Sequence, residues 1–328
     1  MCRIGNVSKP FTSRNGSEQW SVIKKVVRKS VITAALIAVA IQVFCVGILA
    51  PNLPREVCRP GLLETRQFNL PATPALNIVG KNGAVRVSVG EGDVFTVTAE
   101  IRAYTRYASD APTASEYLSR LFQVDRQGEV TRLTVEPEEA PDTVDVRVDL
   151  QVAVPEGTGV AVDVINGNIW VEGAAGDVAV EGNNSDVQVQ GARGAVTVKT
   201  TNGRIMVHGA RAETTLETAN GGINVQMLGG ALQASTITGN ITLRILSDEV
   251  DACDLTSLNG SITLLLKESC SAELSASTVR GTVDLDPALV VRGGEIRRRA
   301  VRGMLGNGRT KLSLNSMNGN IVLQRSQT

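Results

Sequence analysis

The phrase that decides the fold is Asn166-Gly-Asn-Ile169, repeated as Asn202-Gly-Arg-Ile205, Asn220-Gly-Gly-Ile223, Asn259-Gly-Ser-Ile262 and Asn318-Gly-Asn-Ile321. Degenerate copies begin at Asn184, Thr238 and Arg280. In chain order the eight starts stand 18 residues apart four times, then 21 twice, then 38. Self-similarity at this period marks a solenoid, in which each repeat buries its apolar face only by stacking on its neighbours.

The columns of the repeat carry that reading. Three residues after the starts stand Ile169, Val187, Ile205, Ile223, Ile241, Ile262, Val283 and Ile321. Five after stand Val171, Val189, Val207, Val225, Leu243, Leu264, Leu285 and Leu323. Four and six before are also mostly apolar, from Val162 and Val160 in the first copy to Leu314 and Leu312 in the last. Residues between them, such as Gln188, Asn224, Thr242 and Asp284, are mostly polar. Period-two alternation is the mark of a strand with one buried face. Each repeat therefore supplies two short strands joined by an Asn-Gly corner, where glycine accepts a positive φ. Two residues before the starts, Thr200, Thr218, Thr236, Ser257, Thr278 and Ser316 share the inward parity. They are expected to form an internal hydroxyl ladder satisfying backbone groups at the bend. A β-hairpin at each Asn-Gly is the local alternative, but hairpins do not explain a constant period.

The expected fold class is all-β: a β-helix or solenoid-like stack of short strands, preceded by one N-terminal transmembrane α-helix. Residues 1–30 read as a cytoplasmic tail. Val31–Ala50 is apolar except for Gln42 and is long enough, at about 30 Å, to span a bilayer. Lys24, Lys25, Arg28 and Lys29 precede it, so the positive-inside rule places the C-terminal part outside the cytoplasm. A cleaved signal peptide is the rival, without a clean small-x-small site. Prolines 51, 54, 60, 71 and 74 suggest an extended stalk over 51–74. Leu76 to Val87 fits the repeat template and reads as a first coil. Residues 75–155 are expected to cap the solenoid with strands near 130–135 and 144–154 and a helix over 114–122. The array itself runs over 156–328. The excursion from 287 to 309, with Arg292, Arg297, Arg298, Arg299 and Arg302, is expected to blunt the open edge of the last coil.

Composition narrows the function. The 33 basic and 33 acidic residues balance, so no global field invites nucleic acid. The five cysteines show no CxxC spacing and the one histidine, His208, has no cysteine partner, which argues against a zinc site. Cys253 and Cys270, 17 residues apart and close to one coil, read as free thiols, with a disulfide between them as the alternative. The threonine ladder lacks a base, and the acidic run Ser247–Asp254 reads as a solvated bend. No catalytic, cofactor-binding or metal residue is assigned and no cofactor is expected.

The Thr-x-Asn-Gly-x-Ile repeats, the early Asn82-Gly-Ala-Val85, Val154-Pro155 before the array and Gly306-Asn-Gly308 near its end resemble a bacterial adhesin-like family of unknown function built on β-strand repeats. The resemblance implies a β-helix-like fold, an envelope location and no catalytic residue. The functional expectation is a membrane-anchored, extracytoplasmic, structural or interaction module with an envelope polymer or protein as partner. The alternative is an envelope polysaccharide-active enzyme on a parallel β-helix.

Overall fold

The computed structural model describes residues 61–105, 108–136, 139–267 and 269–326. The tail over 1–30, the apolar run over 31–50 and the stalk up to residue 60 lie outside them. Among the described residues no helix is long and apolar enough to cross a membrane.

Each repeat forms a flattened coil of two strands, one in each of two facing sheets. Strand Val178–Asn184 pairs in parallel with Gly159–Asn166 on one side and Val196–Asn202 on the other. Strand Val187–Gln190 pairs in parallel with Ile169–Glu172 and Ile205–Ala210. Equivalent columns are in register, as in Val160–Val178–Val196 and Ile169–Val187–Ile205. Parallel neighbours rule out the hairpin alternative. Among the described residues the sheets hold 12 and 13 strands, and their inward aliphatic columns form one continuous core. The first coil is where the sequence places it: Leu76, Ile78 and Asn82 lie beside Val160, Val162 and Asn166.

The corners are held by three ladders. The inner hydroxyls donate to a corner carbonyl of the adjacent coil: Thr218 Oγ1 to Gly203 O at 3.2 Å, Thr236 Oγ1 to Gly221 O at 3.1 Å and Ser316 Oγ to Gly260 O at 3.0 Å. An outer ladder links asparagine side chains. Asn166, Asn184, Asn202 and Asn220 each donate Nδ2 to the preceding Oδ1, beginning at Asn82, over 2.8–2.9 Å. Thr238 interrupts it. A third set, Asp186, Asn240 and Asn320, accepts the backbone N–H of Arg204, Ser261 and Thr282.

The positive φ that the sequence suggests is found at the corner glycines Gly83, Gly167, Gly203 and Gly239, at 138°, 153°, 155° and 159°, and a second constraint acts at other corners. A Cβ on Gly221 would stand 1.9 Å from the Gly203 carbonyl oxygen, and one on Gly260 1.8 Å from that of Gly239. Neither residue has positive φ. Close stacking of backbone on backbone, more than turn conformation, excludes a side chain there. One coil breaks the pattern and repairs itself. Ser185 replaces the corner glycine, and Gly182 replaces the inner threonine. A Cβ on Gly182 would meet the Ser185 Cβ at 2.7 Å. Ser185 is 1% exposed, so its side chain fills the space that threonine fills elsewhere.

Further strands cover the N-terminal end of the array. Strand Gly61–Pro71 pairs antiparallel with Val94–Thr105, which pairs antiparallel with Val144–Val154. The stalk expected over 51–74 is thus, over 61–71, the edge strand of a sheet. Phe122–Gln127 and Val130–Val135 close the other sheet. The helix spans Ala111–Ser119 and buries Ala114, Tyr117 and Leu118. Arg66 ties it to the edge strand by donating to the Leu118 carbonyl at 2.8 Å.

The C-terminal end departs from sequence order. Strand Thr310–Asn318 lies between Val250–Asn259 and Ala272–Arg280. Its companion Ile321–Arg325 lies between Ile262–Leu266 and Val283–Leu285. The last coil of the chain is therefore next to last in space. The excursion does form a hairpin, Val291–Arg297 with Ala300–Leu305, and it covers an edge. That edge belongs to Ala272–Arg280, not to the final coil. Its turn also takes up corner donors: Thr278 N–H to Arg299 O and Val283 N–H to Arg298 O, both 2.9 Å.

Candidate interaction surface

Outward residues just before each corner line a long face of the 13-stranded sheet. Toward the N-terminal side this face is grooved, with a volume of 520 Å³. Asp163, Glu181, Lys199 and Glu217 stand on one wall, and Ile165 and Ile237 belong to the other. Lys199 and Glu217 pair across coils at 2.9 Å. Gly182 lies in the floor between Val164 and Thr200.

Beyond the groove the same column becomes apolar. Ile237, Leu258, Met317 and Val279 are 53%, 38%, 47% and 59% exposed. Strand register makes them neighbours, because Thr238 pairs with Asn259, Asn259 with Asn318 and Asn318 with Arg280. Only the interleaved coil places Met317 between Leu258 and Val279. The spacing of the sequence does not reveal this row, since 317 and 279 fall in the opposite order along the chain. Scattered exposed aliphatics are ordinary, whereas a row of four on adjacent strands is a contiguous apolar patch.

The groups singled out for chemistry do not converge. His208 is half-buried in a row with Gln190 and Gln226. The acidic run is a turn only as far as Glu249. From Val250 it is strand, with Val250 and Cys253 buried, which corrects the expected bend. Asp248 accepts from the Ser269 hydroxyl at 3.4 Å. Cys253 and Cys270 are free thiols. Burial, and secondarily the charge of Cys270, push the Cys253 thiol up to about 12, so it stays protonated and inert near neutrality. Burial and then Asp248 raise Cys270 as well. In the cap, burial raises the Glu136 carboxyl, partly opposed by Lys81. Among the described residues no group of three or more His, Cys, Asp or Glu side chains is placed to hold a metal ion.

The Toastrack DUF4097 family model matches residues 132–324, more than half of the chain. This chain belongs to the Toastrack DUF4097 family. No curated protein matches it. Among solved structures, this Toastrack chain is similar to a candidate adhesin from Bacteroides fragilis. The identity is 14%, over 80% of this chain and 97% of that one, with a TM-score of 0.42. It is also similar to a candidate adhesin from Parabacteroides distasonis, at 13% identity over 80% and 97% of the two chains, with a TM-score of 0.46. The Toastrack match begins inside the cap and runs through the interleaved coil, so it includes the apolar row.

Proposed function

We propose that the protein is a non-catalytic interaction module, adhesin-like in role, held at a membrane by Val31–Ala50 and displayed outside the cytoplasm. The observation that carries the interaction reading is the outward row Ile237–Leu258–Met317–Val279. Each side chain exposes apolar surface worth about 25 cal/mol per Å² on burial, and inward positions beside them are already filled. A face of this kind gains by being covered. A solenoid holds it rigidly, since every outward side chain is fixed by the register of the strand beneath it. Membrane anchoring and outward display rest on the apolar run and its basic flank, residues outside the described structure.

Site-specific photocrosslinking in cells tests the module. A photoreactive residue at Leu258 or Ile237 of the full-length chain should form adducts on illumination. The same residue at Asn224 or Thr242, outward on the opposite sheet, should form few. Equal adduct yields from both faces would remove the surface from consideration. Protease added to intact spheroplasts should digest residues 61–328 and spare an N-terminal tag; the reverse pattern contradicts the topology.

A further inference from the structure

We propose that the C-terminal part of this face docks onto an anionic phospholipid surface. The inference rests on the reading of the protein as an interaction module and names the partner.

Register brings two kinds of side chain to one side of the sheet. Ile237, Leu258, Met317 and Val279 stand on four adjacent strands, a row of about 14 Å at 4.8 Å per step. The hairpin continues the same face. Ser275 pairs with Arg302 and Glu273 with Met304, and on the outer strand Arg302 pairs with Glu295, Met304 with Arg292 and Ala300 with Arg297. Arg292, Arg297, Arg302 and Met304 therefore point to the same side as Val279. Arg298 and Arg299 form the turn beside it, where the Arg299 carbonyl holds the Thr278 N–H.

The charge is one-sided. From Val291 through Arg309 the chain has six arginines, Arg309 included, and one acid, Glu295. Glu295 pairs with Arg297. Among the described residues no acid lies within ion-pair distance of Arg292, Arg298, Arg299 or Arg302. Asp254 and Glu273 also face outward and are exposed, with Lys311 beside Glu273 in register. The excess of positive charge is thus concentrated at the hairpin.

Two chemistries have to be satisfied together. The aliphatic row is stabilised by a hydrocarbon layer, and guanidinium groups match phosphate oxygens in bidentate geometry. An anionic bilayer presents both at once, phosphate above acyl chains, and basic residues near such a surface are attracted to it. An anionic polysaccharide offers nothing to Leu258 and Met317. A folded protein partner needs a complementary shape, and the concave part of this face is the groove toward Asp163, which shares only Ile237 with the row. The row runs along the axis of the solenoid, so docking lays the solenoid lengthwise on the lipid.

The test uses the full-length chain in nanodiscs of phosphatidylcholine alone or mixed with phosphatidylglycerol. Trypsin cleavage at Arg297–Arg299 is followed by mass spectrometry, with the exposed Arg193 as internal reference. Cleavage at the hairpin should slow on the order of tenfold in the anionic discs and recover in high salt, while Arg193 is unchanged. A Leu258→Asp/Met317→Asp variant should be cleaved at equal rates in both discs. Equal rates for the unmodified chain in both discs overturn lipid docking, whatever the variant does. Photocrosslinks from Leu258 to a protein and not to lipid would also overturn it, while leaving the interaction module standing.

Discussion

Residues 159–245 and residues 250–325 are built from the same two-strand coil, yet they are assembled by different rules. In the first region each coil stacks on the one that precedes it in the chain, and adjacent coils in register are 18 residues apart. In the second, Leu255 lies beside Leu314 and Leu314 beside Ala276, so the chain places one coil, leaves a gap and fills it last. Nearest-neighbour stacking lets the first region form progressively. The second cannot be complete until the C-terminal coil has arrived, and its pairings close long loops. The difference teaches that a repeat fixes the cross-section of a solenoid without fixing the order in which its coils are stacked.

Removing residues 310–328 separates the two regions most sharply. Leu312, Leu314, Ile321 and Leu323 are buried, and at about 1.5–3 kcal/mol each their loss removes roughly 6–12 kcal/mol. Limited proteolysis should then digest the chain beyond about residue 267 while 61–245 stays protected. An unchanged digestion pattern means that coil 272–285 has moved into the empty place, which the short connection over 267–271 allows.

Within the regular region, Ile223→Asp places an unpaired charge in a fully stacked column and should cost about 4–5 kcal/mol or more. Its outward neighbour Asn224→Asp should shift stability by less than about 0.5 kcal/mol in the same urea titration. Similar costs at both positions would contradict the assignment of inner and outer faces.

Gly221→Ala tests the corner. Its Cβ would stand 1.9 Å from a backbone oxygen, so the coils must separate, and we expect a loss of about 3–4 kcal/mol by chemical denaturation. A loss below about 1 kcal/mol, as for an ordinary exposed glycine, would show that stacking at the corner is loose.

The exchanged pair gives a smaller and more specific effect. Gly182→Thr alone should be destabilising, because its Cβ meets Ser185. Gly182→Thr with Ser185→Gly restores the arrangement of Thr200 and Gly203 and should recover most of the loss. The coupling should be about 1–3 kcal/mol in a double-mutant cycle. Additive effects would mean that the two side chains do not share one space.

The asparagine ladder should matter least. Asn202 both donates and accepts, so Asn202→Ala should cost about 1 kcal/mol. At Thr238, where the ladder is interrupted, Thr238→Ala should cost less. Thermal unfolding of the two variants checks the order.

Much of this was legible in the sequence. The aliphatic columns, the inner hydroxyl ladder, the first coil at Leu76 and the strands at 130–135 and 144–154 follow from parity and period alone. The asparagine ladder was visible as a conserved position within the repeat, but its hydrogen bonds required the register. The role of the corner glycines was only half legible, since the approach of Gly203 O to Gly221 is a property of two coils, not one. The interleaved coil was not legible, because Val283 and Ile321 occupy the same column with the same residue types and either could be terminal. The apolar row was hidden for the same reason. Ile237, Leu258, Val279 and Met317 look like isolated exposed residues until Met317 is placed between Leu258 and Val279.

Paired cysteines test the interleaved order most directly. In a background lacking the native cysteines, Thr256→Cys with Asn315→Cys and Asn315→Cys with Ser277→Cys join outward positions on adjacent strands. Thr256→Cys with Ser277→Cys joins strands two steps apart, about 9.6 Å, beyond the roughly 7 Å limit for a disulfide. Oxidation should link the first two pairs and not the third, as read by mass spectrometry of non-reduced digests. A disulfide between positions 256 and 277, with none between 256 and 315, would show that the coils stack in sequence order and would contradict the account.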